Sequence, residues 1–103
     1  CVYATGPKDV SKLPMNTKAR EEYKAKYGKE PGTFFDQAYA AMLAALNAVK
    51  VAGGTDYAAV SKALKSSKVD TNIGTIKFDA KGDAEGVGFS VYQVKGGVFT
   101  EVK

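Results

Sequence analysis

Apolar residues change their spacing twice along this chain, and each change predicts a different kind of element. Cys1-Val-Tyr-Ala-Thr5 alternates like a strand already in progress, and Gly6-Pro7 is expected to stop it. Gly6–Met15 is turn-rich. Asn16 or Thr17 then suits an N-cap for a helix over Lys18–Tyr27, with Ala19, Tyr23 and Tyr27 on one face and Gly28 as the stop. Phe34–Val51 lacks Gly and Pro and is rich in Ala, Leu and Met, which predicts a second helix. Its residues Phe35, Tyr39, Met42, Leu43, Leu46 and Val49 recur at three- and four-residue steps and are expected to form the buried stripe. Gly53-Gly54 ends it, and Thr55 or Asp56 caps a third helix, Tyr57–Ser66, with Tyr57, Val60 and Leu64 facing the core.

From Val69 the period becomes two. Thr71–Phe78 predicts a strand in which Gly74 marks a bulge or a close approach. Residues 79–83 read as a loop. Val87–Val94 predicts a strand with Val87, Phe89 and Val91 on one face and Ser90 and Tyr92 on the other. Lys95-Gly96-Gly97 is a hairpin turn from which Val98–Val102 pairs back. The expected fold class is α/β: a strand, three helices, then strands closing in a C-terminal antiparallel hairpin. No linker divides the 103 residues.

Composition removes most catalytic chemistry. There is no histidine and one cysteine, which takes away imidazole acid–base chemistry, intramolecular disulfides and Cys/His zinc sites. The longest apolar run, Ala38–Leu46, spans nine residues, against about 20 for a membrane helix. The net charge of +4 comes from lysines spread from Lys8 to Lys103, with Arg20 the sole arginine. Nucleic-acid readers lean on arginine and gather their charge into a stripe. Solvated surface lysines are therefore the favoured reading, with no nucleic-acid partner. Asp79, Asp83 and Glu85 share a loop, yet Lys81 sits among them and breaks a calcium-ligand pattern, so no metal is expected. Gly82 and Gly86-Val87-Gly88 lack the phosphate-loop spacing, Gly53-Gly54 is a common connector, and Lys24, Lys26 and Lys29 suit a solvated helix end. Cys1 suits a half-buried strand residue, with a lipid-bearing processed terminus as the alternative.

Phe34-Phe35 carries more information. Neighbours on a helix point about 100° apart, so both rings cannot share one stripe. Phe35 has the register of Tyr39 and Met42. Phe34 falls at the helix start beside Pro31-Gly32-Thr33, where a large ring either lines a pocket or caps the core from the side, the core being the default for large apolar side chains.

Taken in order, Gly6-Pro7-Lys8, Tyr23-Lys24-Ala25-Lys26-Tyr27-Gly28, Phe34-Phe35-Asp36-Gln37-Ala38-Tyr39-Ala40-Ala41, Phe78-Asp79-Ala80-Lys81-Gly82-Asp83 and Phe89-Ser90-Val91-Tyr92-Gln93 resemble the C-terminal part of the branched-chain amino-acid-binding proteins. These are type I periplasmic substrate-binding components of ABC transporters, and the resemblance spans nearly the whole chain. It implies a fragment of a protein with two α/β lobes, joined by three crossing segments, that close on an amino acid. By this likeness residues 1–9 are a strand and crossing, with the crossing near Thr5–Val10. Residues 10–68 are the helical part of one lobe, and 69–103 are strands and a hairpin returning toward the other. Phe34 matches an aromatic residue lining the apolar side of the ligand pocket, which shifts its reading from core to pocket. The contacts to the ligand's ammonium and carboxylate lie upstream. The resemblance further implies periplasmic residence, an ABC transporter permease as partner, no cofactor and no enzymatic step. The competing expectation is a stand-alone small α/β interaction module that pairs through exposed strands, as a homodimer or a domain-swapped assembly.

Overall fold

A computed structural model describes residues 3–102. The expectations for Cys1 lie outside the described residues. The order is β1 (Tyr3–Pro7), α1 (Pro14–Tyr27), α2 (Phe35–Ala52), α3 (Tyr57–Ser66), β2 (Val69–Thr71), β3 (Gly74–Phe78), β4 (Ala84–Glu85), β5 (Phe89–Lys95) and β6 (Val98–Val102). The α/β class and the closing antiparallel hairpin are as expected. The strands fall into two antiparallel sheets, ordered β1-β5-β6 and β2-β3-β4.

Two boundaries move for reasons of backbone chemistry. β1 runs through Gly6-Pro7 instead of stopping there, pairing Pro7 with Phe89. It is an edge strand, where proline's missing N–H leaves no ladder bond unmade. α1 starts at Pro14, a full turn before the expected Lys18. Proline at a first helical position has its φ preset, and its absent N–H would have had no partner. Asn16 and Thr17 therefore lie inside the helix, and the cap is Leu13, without a side-chain bond. α3 has the expected bounds, and Asp56 caps it by accepting from the Ala59 N–H at 3.1 Å. Gly28 and Gly53, at φ +72° and +75°, stop α1 and α2 as expected.

The expected strand Thr71–Phe78 is instead a hairpin. Asn72-Ile73 forms its two-residue turn, Thr71 pairs with Gly74, and Gly74 adopts φ +112°, which a side chain would strain. The Thr71 hydroxyl donates to the Gly74 carbonyl at 2.7 Å and accepts from the Ile73 N–H at 3.2 Å, closing the turn. Ala84–Glu85, after the loop at 79–83, pairs with β3. Asp79 organises that loop by accepting from the N–H groups of Lys81 and Asp83 at 2.8 and 2.9 Å.

The buried face of α2 differs from the expected stripe. Ala40, Ala44 and Ala48 are buried, whereas Met42 and Leu46 are 59% and 58% exposed and Leu43 and Val49 half-buried. The alanine row lets α2 approach α3 and β2 closely, which turns the larger side chains outward. Tyr57 on α3 is exposed as well, and Ala63 is the buried residue of that helix. The strand expected over Val87–Val94 is β5, Phe89–Lys95, so Val87 precedes it; Val87, Phe89 and Val91, the expected apolar face, are exposed, while Ser90 and Tyr92 are half-buried. The radius of gyration is 16.2 Å, against about 13 Å for a compact chain of this length. The sheet β1-β5-β6 and the helical unit are joined by two adjacent passages, at Lys8 and Gly88, where the Lys8 N–H donates to the Gly88 carbonyl at 3.1 Å.

Candidate functional site

A cleft of about 330 Å³ opens where the first sheet meets the helical unit. Thr33, Asp36 and Gln37 at the start of α2, Arg20 of α1, and Tyr92 and Phe99 of the sheet line it together with residues 4–10. A more open hollow lies on the outer side of α3, around Tyr57, Ser61 and Lys65.

The polar frame beside the cleft is buried and nearly complete. Asn16 donates through Nδ2 to the carbonyls of Val10 and Asn72, both at 2.8 Å. Asn72 donates through its own Nδ2 to Asn16 Oδ1 at 2.7 Å and to the Asp36 carbonyl at 2.8 Å. The Arg20 guanidinium grips the Asp36 carboxylate with both prongs, Nε to Oδ1 at 3.1 Å and NH2 to Oδ2 at 2.8 Å. That bond and the facing charge of Asp36 raise the pKa of Arg20 further, so the guanidinium stays a cation. Nearby, the Asp9 carboxyl is held below its ordinary range by hydrogen bonds from the Ser11 hydroxyl and N–H, at 2.7 and 3.0 Å. The Tyr92 hydroxyl donates to the Pro7 carbonyl at 2.8 Å, fixing the rim. Gln37 Oε1 is buried beside this frame without a partner among the described residues. No group of three or more His, Cys, Asp or Glu gathers as a metal site among the described residues.

Phe34 occupies the N-cap of α2 at φ −106°, ψ 22°, and no side-chain bond caps the helix. Its ring is 62% exposed. It stands in sequence between Thr33 and Asp36, both of which line the cleft, but is not itself among the lining residues. A polar residue at an N-cap is worth about 1 kcal/mol over an apolar one, so the helix forgoes about that much stability with Phe34 in this place. Phe35 packs among aromatic neighbours. It meets Tyr23 edge-on at 5.3 Å and Tyr39 at 6.4 Å, and Arg20 lies 5.9 Å over its ring.

Sequence reasoning missed the Asn16–Asn72–Asp36–Arg20 frame. Asn16 looked like a cap and Asn72 like a strand residue. The one available signal was Arg20, the only arginine among fifteen basic residues, since arginine suits buried two-pronged pairing with a carboxylate.

The profile of the periplasmic binding protein family matches residues 2–98. A leucine-, isoleucine-, valine-, threonine- and alanine-binding protein of Pseudomonas aeruginosa is 34% identical over 101 residues, which are 97% of this chain and 27% of that protein. A Leu/Ile/Val-binding protein of Escherichia coli is 35% identical over 91 residues, 85% of this chain and 23% of that protein. Among solved structures, a leucine binding protein of Thermotoga maritima superposes with a TM-score of 0.76 at 28% identity, over 99% of this chain and 30% of that one. The chain thus spans about a quarter of the length of the curated relatives it matches. A match across nearly all of its residues places the chain in the periplasmic binding protein family.

Proposed function

We propose that this chain is one part of a two-lobed type I receptor that captures a branched-chain or related amino acid in the periplasm and delivers it to an ABC transporter permease. The observation that carries the reading is Phe34, an exposed aromatic ring at a helix N-cap where a polar residue would serve the helix better. Phe34 then meets the hydrocarbon end of the ligand. Residues 1–9 serve as a strand and crossing, 10–68 as the helical part of one lobe, and 69–103 as the strands that return toward the other.

Three further observations support it. Relatives that are about a third identical are named for binding leucine, isoleucine and valine. The largest fully buried side chain among the described residues is an asparagine, Asn16, so this stretch encloses little apolar core of its own. Met42, Leu46, Phe89, Val98 and Phe99 are exposed, an amount of bare apolar surface that a larger protein would cover. Holding a small zwitterion needs an apolar wall, a few oriented polar groups and closure, and no nucleophile or base.

Calorimetry tests the reading. Leucine titrated into the intact protein that contains this chain is expected to bind at micromolar affinity or tighter. The 103-residue chain alone is expected to bind at least about 100-fold more weakly, since each lost charged hydrogen bond costs about 1.5–3 kcal/mol. No heat from the intact protein with leucine, isoleucine or valine overturns the reading, as does equal affinity for the isolated chain.

A further inference from the structure

The first turn of α2 is held in an unusual way. Its N-cap, Phe34, contributes no capping bond, yet the residue two positions on, Asp36, is secured at both its polar ends. Arg20 holds the carboxylate with two bonds, and Asn72 holds the backbone carbonyl with one. Asn72 is in turn fixed by Asn16, which also ties the segment at Val10 to the β2–β3 turn. The three buried polar or charged residues among the described ones, Asn16, Asp36 and Asn72, all belong to this one cluster. Phe35, between Phe34 and Asp36, is held against Tyr23 of α1. The body of α2 needs none of this, because its alanine row packs on α3 and β2. The bonds from Arg20 and Asn72 both end on the single turn that follows Phe34.

We propose that Arg20 and Asn72 are positioning residues. By clamping Asp36 at its carboxylate and its carbonyl they fix the first turn of α2, and with it the direction of the Phe34 ring. The ring's direction sets the depth of the apolar end of the pocket, so the clamp sets the preference for large over small amino-acid side chains. This inference rests on the reading of Phe34 as a ligand contact. A loose turn would let the ring swing, and an apolar wall that moves does not discriminate by size. A fixed wall separates ligands that differ by one methylene by about 10- to 200-fold.

The experiment measures leucine and alanine affinities of the intact protein by calorimetry. The variants are Arg20→Lys, Asn72→Ala, Phe34→Ala and the two double variants with Phe34→Ala. Arg20→Lys keeps the charge but loses the two-pronged grip. Phe34→Ala alone is expected to weaken leucine binding roughly 10- to 100-fold. Arg20→Lys and Asn72→Ala are each expected to weaken leucine about fivefold while alanine affinity holds, so that the leucine-to-alanine ratio falls. In the Phe34→Ala background the same changes are expected to leave the ratio where it is. A parallel loss for both ligands, or a ratio change that persists without the Phe34 ring, overturns the positioning role. Unchanged leucine affinity in Phe34→Ala removes the underlying reading instead. Should Asn72→Ala fail to fold, Arg20→Lys decides alone.

Discussion

Asn16→Ala is expected to cost the intact protein about 3 kcal/mol of stability, because it strands buried polar groups that cost about 1–3 kcal/mol each when unmade. Asn16 is 1% exposed, and its amide answers three of them: the Val10 carbonyl, the Asn72 carbonyl and the Asn72 Nδ2 donor. These lie on two stretches of chain 62 residues apart in sequence, Val10 and the β2–β3 turn at Asn72, so local relaxation of either one cannot restore all three. The cavity left by the truncated amide adds to the loss. Denaturant unfolding checks this, with Lys18→Ala on the exposed part of the same helix as control, expected within about 0.5 kcal/mol of the parent. A loss below about 1 kcal/mol for Asn16→Ala, the net worth of one ordinary hydrogen bond, would show that the frame is dispensable.

The second large effect concerns charge. Arg20→Leu leaves the Asp36 carboxylate, 5% exposed on its side chain, without its cation. Breaking a buried pair from one side costs about 3–5 kcal/mol, whereas replacing both partners with apolar groups is often neutral. Arg20 keeps 25% of its side-chain surface, so water relieves part of the loss and the low end, about 3 kcal/mol, is expected. The double variant Arg20→Leu/Asp36→Leu is expected to be more stable than Arg20→Leu alone. Thermal unfolding of the single and double variants decides it. A double variant that loses the sum of the two single losses would mean that the two residues act independently.

How much of this was legible in the sequence depended on whether the signal was local. α3 and β6 were expected at their observed bounds, because Asp56 as a cap and the Gly96-Gly97 turn act on their own neighbours. The side on which each element packs was not legible. α2 carries two rows, one of alanines and one of large apolar residues, and periodicity marks both without saying which faces the neighbour. The large row has greater transfer free energy, but the small row permits close approach, and here closeness decides. The hairpin at Asn72-Ile73 hid inside an alternating stretch because its positive-φ glycine follows the turn instead of lying within it. The polar frame was invisible for a different reason. Asn16 and Asn72 are 56 residues apart, and only the hairpin, the early start of α1 and the alanine packing of α2 bring them together. Phe34 was legible in outline, since two adjacent aromatics at a helix start cannot share a face. Its exposure was not, because exposure depends on what surrounds the helix.

The most direct test of the account is a crystal structure of the intact protein with leucine bound. Carbon atoms of the Phe34 ring are expected within about 4 Å, the distance of apolar contact, of the ligand's terminal methyl groups, with Arg20 and Asn72 still holding Asp36. Leucine seated elsewhere, with the Phe34 ring turned to solvent and out of its reach, would contradict it.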